Sequence, residues 1–252
     1  MDDLVRIIPD KILSDYDSIL IPYWVLTEIG DAPGRAGYVE NLIRKGYPIH
    51  AIDELAYSDL ACNEEGNLYQ IVQASAKNIG AIKSYLRRYI QKDDVLDMDS
   101  YSDWIKKLYD EWPIEGETLS SGRSKKKNAG EISITILAEV LSWYYPDSET
   151  ITIYSQDRDT FNFQKAAEEA LIRIFADRSP VPVSYKSNDA LLCQLYRDNL
   201  ITSDGVRKIR KDCRKITYSK EQSDKSVVLV TEQVDTEEFI ELIKESTVHI
   251  IF

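Results

Sequence analysis

Four short apolar runs, each bounded by polar or turn residues and each followed by a helical pattern, constrain this chain more than any other feature. They lie at 18–22, 48–53, 151–155 and 181–185. Runs of four to eight residues rich in Ile and Val read as strands buried on both faces. Between them the apolar spacing changes to about 3.6. Trp24, Val25 and Ile29 give a short helix, and Leu68, Ile71, Val72, Ala76, Ile79, Ile82, Leu86 and Ile90 give one long helix over 68–91. Further helices are predicted at 102–112, 130–144, 163–175 and 189–198. Such alternation specifies a mainly parallel sheet with right-handed crossovers and helices on both faces, so the expected class is α/β. Beyond it, 203–215 reads as a strongly basic helix and 226–252 as a strand-helix-strand supplement, with polar 222–225 as the boundary between them.

Composition narrows the chemistry. The only histidines are His50 and His249, and Cys62, Cys193 and Cys213 show no CxxC spacing, which argues against structural zinc and against Ser/His/Asp or Cys/His catalysis. Carboxylates remain, with 43 acidic against 31 basic residues and a net charge of −12. That balance opposes indiscriminate nucleic-acid binding unless a basic patch or bound cations offset it. Two patches qualify: Lys125, Lys126, Lys127 and Asn128 ahead of the helix at 130–144, and Arg207, Lys208, Arg210 and Lys211 within 205–215. Each also reads as an ordinary solvated face. No apolar run approaches the roughly 18–20 residues that span a bilayer, and Met1-Asp2-Asp3 is not a basic leader, so a cytoplasmic chain without a membrane partner is expected.

In an open α/β sheet, ligands bind beyond the carboxyl ends of the strands, which singles out the acids placed there. Asp157 and Asp159 follow the third strand, where a helix cap is the alternative role. Arg158, between them, either pairs with them or meets a phosphate. Glu131 opens a strongly apolar helix, where the helix dipole favours a carboxylate by roughly 0.3–1 kcal/mol. Glu28 ends the short helix after the first strand.

Taken together, these residues resemble one family. Ile21-Pro22-Tyr23-Trp24-Val25-Leu26-Thr27-Glu28-Ile29, Asn128-Ala129-Gly130-Glu131 and Ser155-Gln156-Asp157-Arg158-Asp159 look, in that order, like three elements of the PIN-domain ribonucleases, those beside PhoH-like ATPases or of toxin type in particular. The resemblance covers about residues 2–200. It implies a three-layer α/β/α fold at 1–200 with 53–119 as a helical insertion; the basic helix and β-α-β extension at 201–252 lie outside it. It further implies that Glu28, Glu131, Asp157 and Asp159, with Asp2 or Asp3 in the place of a first-strand aspartate, hold Mg²⁺ or Mn²⁺. Hard cations want such oxygen ligands. The implied activity is metal-dependent endoribonuclease action on RNA (or DNA), as a toxin or defence effector held by an inhibitory protein, with pairing into a homodimer. The alternatives are a catalytically inactive PIN-fold module that binds RNA or protein, and a carboxylate-rich phosphoryl-transfer enzyme.

Overall fold

The computed structural model describes residues 12–30, 34–92, 95–96, 100–116, 118, 122 and 126–251. The expectations for Asp2, Asp3 and Lys125 lie outside these residues. The chain is mixed α/β and divides into two compact units, one of Tyr16–Ile153 with Asp159–Ser184, the other built on Tyr154–Arg158 and the chain from Tyr185 onward.

In the first unit, strand β1 (Ile19–Pro22) pairs in parallel with β2 (Ile49–Ile52), from Ile19 opposite Ile49 to Pro22 opposite Ile52. Helix α1 (Tyr23–Ile29) starts directly at Pro22, and α2 (Arg35–Arg44) makes the crossover between the two strands. After β2 come a short 3-10 turn (Glu54–Ala56) and α3 (Tyr57–Leu60). The single long helix expected at 68–91 is two helices, α4 (Glu65–Ser75) and α5 (Gly80–Tyr89), because the chain turns at 76–79 before the glycine. A two-residue pair, β3 (Gln91–Lys92) with β4 (Val95–Leu96), leads to α6 (Tyr101–Asp110), which Ser100 caps through its side chain.

Helix α7 (Ala129–Tyr144) is the centre of this unit, and nearly all of its residues are buried. Its Ile132, Ile136 and Val140 join Trp24, Tyr57, Leu68, Ile71, Leu86, Ile105 and Leu108 in one core. The stretch expected as an insertion therefore supplies much of the unit's own apolar interior. Helix α8 (Arg158–Ile174) closes that core with Phe163, Ala167 and Leu171. Strands β5 (Ile151–Tyr154) and β6 (Val183–Lys186) form a further two-stranded sheet.

The second unit holds α9 (Asn188–Arg197), α10 (Ser203–Ile209), β7 (Arg214–Glu221), β8 (Val227–Val234), α11 (Thr236–Lys244) and β9 (Val248–Ile250). The antiparallel order is β8-β7-β9. The basic stretch expected as one helix over 203–215 thus ends at Ile209, and β7 begins at Arg214. Ile216 and Tyr218 alternate with polar residues and point into the core, which is strand periodicity. Residues 222–225 are the tight turn of the β7–β8 hairpin rather than a linker. Lys225 sits there at φ +65°, and the Asp224 side chain accepts from the Ser226 amide at 2.9 Å. The unit also begins earlier than 201, because α9 contributes Leu192 and Leu195 to its core.

A buried ion group holds this second unit together. Asp189 and Arg210 are fully enclosed and meet at 3.2 Å, Arg214 reaches the same carboxylate at 2.5 and 2.8 Å, and Arg210 donates to the Val234 carbonyl at 2.8 Å. The Arg210 guanidinium also lies 4.7 Å from the centre of the Phe239 ring. Removing one partner of such a group strands a charge in the interior. Asp189→Ala is therefore expected to lower the unfolding free energy by about 3–5 kcal/mol, whereas surface Arg207→Ala changes it by less than about 1 kcal/mol. Urea denaturation at pH 7 measures both.

Candidate active site

The first turn of α7 holds Glu131 and lies against Glu28 of α1. Pro22, which precedes α1, offers no side-chain cap, so the amide of Trp24 must find an acceptor elsewhere. It donates to Glu54 Oε1 at 2.9 Å, and the same oxygen accepts from Ser133 Oγ at 2.6 Å. Ser133 Oγ is in turn 2.9 Å from the Tyr57 hydroxyl. Trp24 stacks on Tyr109 with ring centres 4.8 Å apart and meets Trp112 edge-on at 5.5 Å. The Thr27 hydroxyl donates to the Trp24 carbonyl at 2.7 Å. These contacts fix the short helix α1 and its half-buried Glu28, one turn beyond Trp24.

Glu28 lies against α7 at its glycine. A Cβ built on Gly130 would stand 3.3 Å from Val25 Cγ2, a tight approach, and 3.5 Å from Glu28 Oε1, an ordinary contact, so the missing side chain lets α1 pack closely on α7 with the carboxylate against Gly130. Glu131, half-buried, follows immediately. Asn128, in the left-handed conformation at φ +62°, precedes α7 and shares with Asp159 a cleft of about 500 Å³. Asp159 stands in the first turn of α8, where the dipole favours a carboxylate. Glu28 and Glu131 thus lie at the first turn of α7, and Asp159 lines the cleft that includes Asn128, the residue before that helix. Among the described residues, however, no group of three His, Cys, Asp or Glu is close enough to hold a metal ion. Asp157 is exposed and falls in the short segment assigned to the second unit, where the Tyr185 hydroxyl donates to its carbonyl at 2.8 Å.

The expected basic contacts sort into two kinds. Arg210 is enclosed with Asp189, so it presents no surface to a nucleic acid, contrary to the sequence expectation. Arg207 is held by Glu237 and Asp204, both at 2.7 Å. Arg158 donates to Thr217 Oγ1 at 3.0 Å on β7. Lys126 donates to the Tyr109 carbonyl and lies 4.4 Å above the Tyr109 ring, and burial pulls its pKa down. Lys127, Lys208 and Lys211 are exposed.

Sequence reasoning missed Glu54 and Glu139. Glu54 follows β2 just as Asp157 follows β5, so its position at a strand end was the available signal. Glu139 accepts from Trp143 Nε1 at 2.9 Å and Gln164 Nε2 at 2.8 Å within α7's apolar stretch, and its burial was not visible in the spacing. Comparison with protein-family models, characterised proteins and solved structures yields no match for the chain.

Burial raises the pKa of both glutamates from 4.5 to about 7. In the folded chain each keeps its proton up to about pH 7, whereas in the unfolded chain it is lost near 4.5. The folded state therefore binds more protons between these values, and stability is full below pH 4.5 and falls as pH rises through 7. The urea midpoint is expected to drop between pH 5 and pH 8. Glu54→Gln and Glu139→Gln should each remove part of that slope, worth on the order of 3 kcal/mol, and each raise stability at pH 8 relative to the parent chain.

Proposed function

We propose that the chain is a metal-dependent nuclease acting on RNA, with a PIN-like three-layer arrangement of its first unit. The observation that carries this reading is the placement of Glu28 against Gly130, beside Glu131, with Asp159 in the adjoining cleft. The donor set is all oxygen, which suits Mg²⁺ or Mn²⁺. A Mg²⁺ ion commonly takes only one or two carboxylates and completes its shell with water and substrate phosphate, so a pair of glutamates is a sufficient protein contribution. Glu28 and Glu131 would hold it, with Asp159 in the adjoining cleft, and when bound it would make a water acidic enough to lose its proton and so serve as the nucleophile that displaces the leaving oxygen from phosphorus. No histidine base is required.

The remaining roles belong to the chain itself. Glu28 is positioned by Trp24 and Thr27 through the aromatic stack with Tyr109 and Trp112. Gly130 leaves room for the carboxylate, and exposed Lys127 offers a phosphate a positive contact at the mouth of the site. Toxin or defence action, restraint by an inhibitory protein and pairing with a second copy belong to this same proposal.

The test is cleavage of labelled single-stranded RNA and DNA with Mn²⁺, Mg²⁺ or EDTA. Metal-dependent cutting of RNA is expected, and Glu131→Gln and Glu28→Gln should each slow it by on the order of 100-fold or more while the circular dichroism spectrum is kept. Asp157→Asn is the informative contrast, because a loss as large would add that residue to the site. A folded chain that cuts neither substrate with any metal would sink the enzyme reading and leave a catalytically silent binding module.

A further inference from the structure

Beyond Asp159, the cleft beside α7 carries polar groups that the proposed chemistry leaves unused. Asp159, Asn162, Ala166 and Glu169 fall at i, i+3, i+7 and i+10 along α8, a stripe about 15 Å long. Lys165 stands one helical turn before Glu169, and Asn78 and Asn128 form the facing side. Phe163, buried at its base, provides an apolar floor. Among the described residues, the side chains of Asn78, Asn128, Asn162, Lys165 and Glu169 make no hydrogen bond or ion pair with the protein. Concave sites with an apolar floor and a few converging uncommitted polar groups are where small planar ligands bind.

The sign of these groups selects the ligand. Glu169 and Lys165 offset one another and leave the cleft without the excess of positive charge that a phosphate needs, so it suits a neutral group rather than the backbone of a nucleic acid. A carboxylate only accepts hydrogen bonds, and both its oxygens are satisfied together by two adjacent donors. Of the four RNA bases only guanine presents such a pair, N1–H and the N2 amino group, next to an acceptor, O6. Single-stranded RNA is read in this way, with an unstacked base bonded along its Watson–Crick edge.

We propose that this cleft binds one guanine of single-stranded RNA. Glu169 accepts from N1–H and N2–H, Lys165 donates to O6, and the carboxamides of Asn78, Asn128 and Asn162 take the remaining edge. The idea deepens the nuclease reading, since Asp159 and Asn128 tie the cleft to the first turn of α7 and a bound guanine would set which phosphate lies there.

The deciding experiment measures binding without cleavage. The pentamer UUGUU and its analogues with inosine, adenine or cytosine at the centre are titrated in EDTA, following anisotropy and the side-chain amide resonances of Asn78, Asn128 and Asn162. Inosine is the sharpest comparison, because it lacks only the N2 amino group. The guanine pentamer is expected to bind about tenfold more tightly than each analogue, to shift the three amide resonances, and to lose that advantage in E169Q. Equal affinities, no binding, or shifts confined to other residues would overturn the proposal. The two readings fail separately: guanine preference without cutting under any metal removes only the nuclease, and cutting without guanine preference removes only this cleft's role.

Discussion

The amide of Trp24 has no partner within its own helix, and the first unit is organised around giving it one. Helix α1 begins behind a proline that cannot cap it, so an acceptor has to come from a distant segment, and Glu54 provides it. A carboxyl group at this depth is costly when charged, and the neutral form is favoured instead. Ser133 donates to the same oxygen from α7. One buried oxygen thereby joins the strand-to-helix corner at Pro22, the turn after β2 and the central helix. The stacking of Trp24 on Tyr109, and with it the position of Glu28, follows from that junction.

The two units solve the problem of interior polarity differently. In the first, buried carboxyls shed their charge and lean on neutral donors, Ser133 for Glu54 and Gln164 and Trp143 for Glu139. In the second, Asp189 stays beside two guanidinium groups, and the charges are compensated in place. The first arrangement responds to pH near neutrality. The second fixes the relation of α9, β7 and the end of β8.

Much of the fold was legible in the sequence where local pattern and tertiary context agree. The runs at 18–22, 48–53 and 151–155 became β1, β2 and β5 because Ile-rich segments of four residues favour a strand, but they lie in two-stranded sheets and are only partly buried, not covered on both faces as expected. The break between α4 and α5 was hidden, since apolar residues on either side of it keep the helical spacing even though the helix stops at Ser75. The basic stretch misled for a different reason. Arg210 and Arg214 look like a charged surface in a one-dimensional count, yet they turn inward to a single aspartate 21 and 25 residues earlier. For the site, Glu28, Glu131 and Asp159 were named from strand ends and helix starts; the structure puts Glu28 against Gly130, next to Glu131, and Asp159 in the cleft that Asn128 lines, without bringing the three together as a metal-holding group. Asn162, Lys165 and Glu169 went unnoticed because polar residues on an amphipathic helix carry no mark of facing a cleft rather than open solvent.

The division of the chain has a consequence during synthesis. Both segments of the first unit, Tyr16–Ile153 and Asp159–Ser184, are synthesised before residue 185 is added. The second unit must wait, because β7 is completed only by β9, at Val248–Ile250. At ~5–20 residues per second that interval lasts roughly 3–13 s. During it every residue of the first unit has been made, while Arg210 and Arg214, the partners of Asp189, and then β9 are still being added, so the candidate catalytic unit is complete in sequence first and the ion-bound unit last.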